Sequence, residues 1–216
     1  MAKMKVGVLI SGRGTNLQAL ARAAIDPDYP AEIALVVSNR PNVDGITFAM
    51  DEGLPFAVID HTEFDSREAH ERAMTEQLKE VGVEMICLAG YMRIVSDDFI
   101  NDWRGKILNI HPSLLPALRG VDTHERALER GVRIHGCTVH FVNSELDGGP
   151  IVSQGALAVQ PNDNAETLGA RVLELEHQLY PRALEMIANK SIRWSGDDGV
   201  LDVDVSTDDV AVLSSS

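Results

Sequence analysis

Lys5-Val6-Gly7-Val8-Leu9-Ile10-Ser11-Gly12-Arg13-Gly14-Thr15-Asn16 is the stretch that decides the fold. Lys5–Ile10 is a short apolar run that stops at small residues, and an apolar helical stretch begins around Asn16. A strand handing over to a helix through a glycine turn opens a βαβ unit. The alternation continues outward from it. Ile33–Ser38, Pro55–Ile59, Met85–Ala89 and Ile107–His111 read as further short strands, with helices near Gly45–Glu52 and from Ser66 to Val81 among them. Thr123–Arg130 reads as a helix, Ile134–Val142 and Ile151–Val159 as two longer strands forming an antiparallel edge or hairpin, and Ala165–Ala188 as a long closing helix. Capping-box spacings mark three helix starts: Asp65 with Glu68, Asp122 with Glu125, and Asp163 with Glu166. The expected class is α/β, a mostly parallel sheet with helices on both faces.

Composition narrows the function. The chain has 216 residues, 44% of them hydrophobic and 24% charged, enough to bury a substantial core. Residues 1–190 are expected to form a single domain, and 191–216 an acidic extension that frays or adds a short edge hairpin. From Ser191 onward the extension holds six Asp against one Arg. With 33 acidic and 19 basic residues the formal charge is −14, which repels phosphate backbones, so no nucleic-acid partner is expected. Apolar runs are too short to cross a bilayer, so no membrane partner is expected either. Cys87 and Cys137 each sit in an apolar stretch and read as buried packing residues of a reducing compartment. Met1–Lys5 leads straight into the first strand with no signal-peptide core, which points to a soluble cytoplasmic protein.

The glycine turn admits two readings. Gly12 and Gly14 let backbone N–H groups approach an anion at a helix N-terminus, with Thr15 and Asn16 as further donors; alternatively the turn is structural and Thr15 or Asn16 caps the helix. Leu17 stands where a dinucleotide loop has its third glycine, and Ser38-Asn39-Arg40 replaces the acidic residue that would hold a ribose. No Gly-Lys-Ser/Thr follows, so a Walker loop is excluded. The turn suits a small phosphate and argues against a nicotinamide cofactor.

Lys106-Ile107-Leu108-Asn109-Ile110-His111-Pro112-Ser113 carries candidate chemistry. Alternation puts Asn109 and His111 on one face at the carboxyl end of a parallel strand, where open α/β sheets place ligands. Pro112 keeps His111 extended and ends the ladder. An amide donor and an imidazole so placed can address one carbonyl, Asn109 at the developing oxyanion and His111 moving a proton. They can equally be a turn former and a hydrogen-bonded core histidine. Asn143-Ser144-Glu145-Leu146-Asp147-Gly148-Gly149-Pro150 is a second polar cluster, in which Asp147 is either a turn residue or the carboxylate that orients His111. His124, His135, His140 and His177 lack zinc-ligand spacing and take structural readings, so no metal is expected. Ser113 has no nucleophile elbow around it, which excludes a serine hydrolase.

Asn109-Ile110-His111-Pro112-Ser113-Leu114-Leu115-Pro116, then Gly120, then Leu146-Asp147-Gly148-Gly149-Pro150-Ile151 resemble the signature of the folate-dependent formyltransferases. Leu9-Ile10-Ser11-Gly12, Phe64-Asp65-Ser66-Arg67-Glu68, Leu88-Ala89-Gly90-Tyr91-Met92-Arg93-Ile94 and Glu176-His177 extend the likeness from Lys5 to about Lys190. The resemblance implies a Rossmann-like formyltransferase fold, whose N-terminal half carries a phosphate. It implies 10-formyltetrahydrofolate as co-substrate, a phosphoribosylated glycinamide as acceptor, no metal, small-molecule partners only, and a monomer or homodimer. It makes Asn109, His111 and Asp147 the catalytic trio. Gly14, Thr15, Asn16 and Glu176 become acceptor contacts; Arg67, Met92, Arg93, Ile94, Val95 and Asn109 become folate contacts. Arg13, and the loop Leu115-Pro116-Ala117-Leu118-Arg119-Gly120, depart from the family pattern. A tRNA-directed member would need a basic surface, which the −14 charge opposes.

Overall fold

Strand β1 (Met4–Ile10) holds the centre of the first of two units in the computed structural model, which describes residues 2–194 and 201–203. The units are Met1–Asn109 and Ile110–Ser216. In the first, β1 is followed by α1 (Thr15–Ala24), β2 (Ala31–Ser38), α2 (Asp44–Asp51), β3 (Phe56–Val58), α3 (Arg67–Glu80), β4 (Met85–Leu88), α4 (Asp97–Asp102) and most of β5 (Ile107–His111). The strand order is β3-β2-β1-β4-β5, and every neighbouring pair is parallel. Val8, Leu9, Ile10, Val36, Ile86 and Leu108 are fully buried. Each such side chain removed from water contributes about 1.5–3 kcal/mol, which is what holds these short strands together.

This order has a functional consequence. From β1 the chain winds outward through β2 to β3, then returns to the other side of β1 as β4. Such a reversal is where open α/β sheets bind ligands, beyond the carboxyl ends of the two strands that flank it. Here those ends run into the glycine turn after β1 and into the Ala89–Val95 segment after β4.

The second unit contains the end of β5, α5 (Thr123–Glu129), β6 (Ile134–Phe141), β7 (Ile151–Ala158), α6 (Ala165–Ala188), β8 (Ile192–Arg193) and β9 (Asp202–Val203). β6 neighbours β5 and pairs antiparallel with β7, the expected hairpin. Helix α6 packs on both hairpin strands, burying Leu168, Val172, Leu179, Tyr180 and Ala183. β8 and β9 pair antiparallel as a separate two-stranded ribbon; the rest of the acidic extension lies outside the described residues.

The helix starts differ from expectation in instructive ways. Ser66, not Asp65, caps α3, its hydroxyl accepting from the Ala69 N–H. Asn164 and Thr167 form the reciprocal capping box of α6, while Asp163 accepts from the Gln160 N–H and pairs with Arg171. Asp122 sits in the left-handed region and makes no cap bond. Gly14, also left-handed, occupies the N-cap of α1, so neither Thr15 nor Asn16 caps it. Helix α4 was not expected; it is a six-residue helix capped by Ser96 and anchored by Phe99, too short to show a period. Cys87 and Cys137 are both buried thiols, as expected. No helix among the described residues is long and apolar enough to cross a membrane.

Candidate active site

Strand β5 ends at His111: Leu108, Ile110 and His111 are buried and Asn109 is half-buried. The His111 ring meets an oxygen at each nitrogen. Nδ1 lies 3.5 Å from Asp147 Oδ2, and Nε2 lies 3.0 Å from the Leu118 carbonyl oxygen. Both oxygens are acceptors, and an imidazole presents two donors only when doubly protonated. The arrangement therefore suits a ring that handles a proton, and a sequence-distant carboxylate reaches it as expected.

Asp147 is held by its own loop. Its backbone is left-handed at φ 48°, a conformation that Asp and Asn tolerate better than other non-glycine residues. Its Oδ2 also accepts the Gly120 N–H at 2.8 Å. Upstream, Asn143 Oδ1 accepts the Glu145 N–H, and the Glu145 carboxylate pairs with Arg119. Arg126 donates to the carbonyls of Arg119 and Val121, tying down the 119–121 turn. Ser113 is committed as a donor to the Ala117 carbonyl and is fully buried, consistent with its exclusion as a nucleophile.

Three of the histidines given structural readings lie in this unit close to other titrating groups. His140 Nε2 is 3.9 Å from Asp147 Oδ1, a neighbour that sequence spacing did not announce. His124 Nδ1 and His135 Nε2 are 3.1 Å apart, their rings edge-on. Burial, with His124 and His111 adding, pushes His135 down to about 4, so the folded ring is neutral where the unfolded one titrates near 6.5. The unfolded chain then binds the extra proton between these values. The neutral ring's contribution is fully present above about pH 6.5 and is lost as pH falls toward 4, by about 2–3 kcal/mol at pH 4.5. Denaturant titrations at pH 7 and 4.5 should show His135→Gln losing less stability on acidification than the parent chain. Equal losses would assign the acid sensitivity elsewhere.

In the first unit the glycine turn and the segment after β4 are physically joined. Ser11 Oγ donates to Asn39 Oδ1 at 2.6 Å and accepts the Met92 N–H at 2.8 Å. Four residues on, Ser96 donates both its N–H and its hydroxyl to the Glu71 carboxylate of α3. Burial pushes Glu71 upward, and the Ser96 bonds partly offset that. The strap Met92–Val95 is thus pinned at both ends, with Met92 and Ile94 exposed at 75% and 67% and Val95 buried. Arg67, exposed in the first turn of α3, acts electrostatically on Glu71. Gly14 and Asn16 are buried, Thr15 is half-buried, and Arg13 is exposed. Glu176 is buried on α6; burial pushes the Cys137 thiol upward, with Glu176 adding to the shift.

Ser11, Glu71 and His140 were missed by sequence reasoning. A Ser before the turn and a Glu inside a helix carry no signal of their own; His140 was discounted for lacking zinc-ligand spacing, although it lies seven residues before Asp147. Among the described residues, no group of three or more His, Cys, Asp or Glu is placed to hold a metal ion.

Comparison with known proteins bears on this geometry. The trifunctional purine biosynthetic protein adenosine-3 of Gallus gallus is 50% identical over 191 residues, covering 88% of this chain. The chain spans only about a fifth (19%) of that relative's length. A phosphoribosylglycinamide formyltransferase of Haemophilus influenzae is 42% identical over 198 residues, 92% of this chain and 93% of the relative. The crystal structure of phosphoribosylglycinamide formyltransferase from Anaplasma phagocytophilum superimposes with a TM-score of 0.89 at 40% identity, covering 99% of this chain and all of that one. The family model described as formyl transferase matches residues 4–184, from the first residue of β1 into the last turns of α6, and the chain therefore belongs to the formyl transferase family.

Proposed function

We propose that the protein transfers the formyl group of 10-formyltetrahydrofolate to the amine of N1-(5-phosphoribosyl)glycinamide, giving formylglycinamide ribonucleotide and tetrahydrofolate in purine (IMP) biosynthesis. The observation that carries the reading is the His111 ring between the Asp147 carboxylate and an acceptor oxygen, in a chain of this family. The relatives that the chain covers almost entirely bear the same activity in their names.

In this reading the glycinamide amine attacks the formyl carbon and a tetrahedral intermediate forms. The formyl oxygen takes over from the Leu118 carbonyl as the acceptor at His111 Nε2, and Asn109 donates to the same developing oxyanion. Removing one such donor costs about 10²–10³ in turnover. Asp147 balances the charge on the His111 ring and, through water, passes the proton lost by the amine to the departing folate nitrogen. One N–H and the C–N bond to folate break; one C–N bond and one N–H form.

Gly14, Thr15 and Asn16 hold the acceptor's phosphate, using the N-terminus of α1, and Glu176 meets its glycinamide or ribose end. Arg67 and the strap Met92, Arg93, Ile94 and Val95 hold the folate, with Asn109 shared. The exposed apolar Met92 and Ile94 suit a flat heteroaromatic ligand. The reading takes residues 1–190 as the working domain, needs no metal, and carries with it a cytoplasmic location, small-molecule partners and a monomer or homodimer.

The test is folate release from 10-formyltetrahydrofolate, followed by absorbance with and without glycinamide ribonucleotide. Release that requires the ribonucleotide is the expected result. Release without it would mean a hydrolase, and none in either case would leave a binding protein.

A further inference from the structure

One hydroxyl cross-links the ends of three neighbouring strands. The ladders of β1 stop at Ile10 against Ser38 of β2 and at Leu9 against Leu88 of β4. Ser11, the next residue along, carries the cross-link outward through its side chain. Its Oγ donates to Asn39 Oδ1 at 2.6 Å and accepts the Met92 N–H at 2.8 Å. A hydroxyl has one hydrogen to give, so the bonds run in one sense, Met92 to Ser11 to Asn39, and each polarises the other. Ser11 and Asn39 are 4% and 1% exposed, so losing either bond leaves a buried polar group to be satisfied.

The two ends of this chain of bonds differ in stiffness. Asn39 is fixed: its carbonyl accepts the His61 N–H at 3.3 Å and faces His61 Nδ1 at 2.8 Å, and its N–H points to the Ile10 carbonyl at 3.4 Å. Met92 opens the strap, residues 92–95, which belongs to no helix or strand, so no ladder fixes its backbone. Ser11 lies between them and is continuous with the glycine turn, whose Gly12 carbonyl accepts the Gly45 N–H at 3.1 Å. Whatever orders the turn therefore orders the oxygen that receives the Met92 N–H.

We propose that Ser11 is a positioning residue that couples the glycine turn to the strap, so that the phosphorylated acceptor and the folate each strengthen the binding of the other. A ligand that orders the turn also orders the anchor of the strap, and the second ligand then meets a strap that needs less ordering. Linkage makes the effect reciprocal. The coupling rests on the formyl-transfer reading for the identity of its two ligands.

Tetrahydrofolate and glycinamide ribonucleotide together have no formyl group to transfer, so their coupling can be read at equilibrium. Calorimetric titration of the full chain with tetrahydrofolate, alone and with saturating ribonucleotide, gives a ratio of two dissociation constants. In the parent, binding should tighten by about fivefold or more when the ribonucleotide is present, the lower end of typical couplings. In Ser11→Ala the ratio should fall close to one, and Ser11→Thr, which keeps the hydroxyl, should restore most of it. Each ratio compares a chain with itself, so uniform damage to packing cancels from it. A ratio of one in the parent overturns the coupling without any variant. So does a Ser11→Ala chain that binds both ligands more weakly but keeps the parental ratio, and so does an equal loss in Ser11→Ala and Ser11→Thr. If the parent binds neither ligand, the formyl-transfer reading fails and takes the coupling with it; if it binds both independently, only the coupling fails.

Discussion

Asp147→Asn should lower turnover by about 10²–10³-fold while leaving the thermal midpoint within a few degrees of the parent. The reasoning starts from the backbone. Residue 147 is left-handed at φ 48°, and Asn adopts that region as readily as Asp, so the loop keeps its course. One amide oxygen can stand where Oδ2 stands, accepting the Gly120 N–H at 2.8 Å and facing His111 Nδ1. The amide nitrogen then takes the place of Oδ1, on the His140 side. Every hydrogen bond that positions the ring has a counterpart, and only the negative charge is gone. An imidazolium formed during transfer would stand without its counter-charge in a site where both side chains are at most 10% exposed, and poor screening there makes the loss large. KM for either substrate should change little, because neither the glycine turn nor the strap is touched. Near-parental turnover would remove Asp147 from the proton path and leave it a turn residue.

Much of this site was legible as residue types and little of it as contacts. Asn109 and His111 could be placed because strand alternation is a local rule and Pro112 ends the strand; β5 came out with the expected bounds. The hairpin and α6 were legible for the same reason, since long apolar patterns dominate their neighbours. The pairing of His111 with Asp147 was an expectation from resemblance, because no spacing rule connects residues so far apart. His140 escaped notice because its approach to Asp147 is a tertiary contact that no spacing rule announces. The caps at Ser66 and Asn164 each fell one residue after the acidic residue chosen from spacing. In both places two capping-type side chains stand in a row, and the one that takes the cap has the extended backbone a cap needs. The strap's anchors on Ser11 and Glu71 are tertiary bonds between distant segments, for which a sequence offers composition but no address.

Gly14→Ala is expected to damage the acceptor subsite and the fold together, and Gly12→Ala to spare the fold. Gly14 has φ +71°, a left-handed conformation that costs an L-residue roughly 1–2 kcal/mol. A β-carbon there would also lie 2.8 Å from the Gly45 Cα, and the Gly45 N–H already bonds the Gly12 carbonyl at 3.1 Å. The obstacle is backbone against backbone, so the turn itself must move away from α2. A displacement of the order of 1 Å at a substrate-positioning group costs about 10²-fold. The expected outcome is a fall of that order in kcat/KM for the ribonucleotide, carried mostly by KM, with KM for formylfolate little changed. The thermal midpoint should fall by several degrees. At Gly12 nothing lies within 4 Å of a built β-carbon, so the Gly12→Ala chain should melt like the parent. Any rise in its KM for the ribonucleotide then reports ligand approach alone. If Gly14→Ala lowers the melting temperature but binds the ribonucleotide as the parent does, the glycine turn is structural and the phosphate is held elsewhere. If both variants weaken ribonucleotide binding while only Gly14→Ala melts early, the turn cradles the phosphate, and the left-handed glycine is what lets it sit against α2 while doing so.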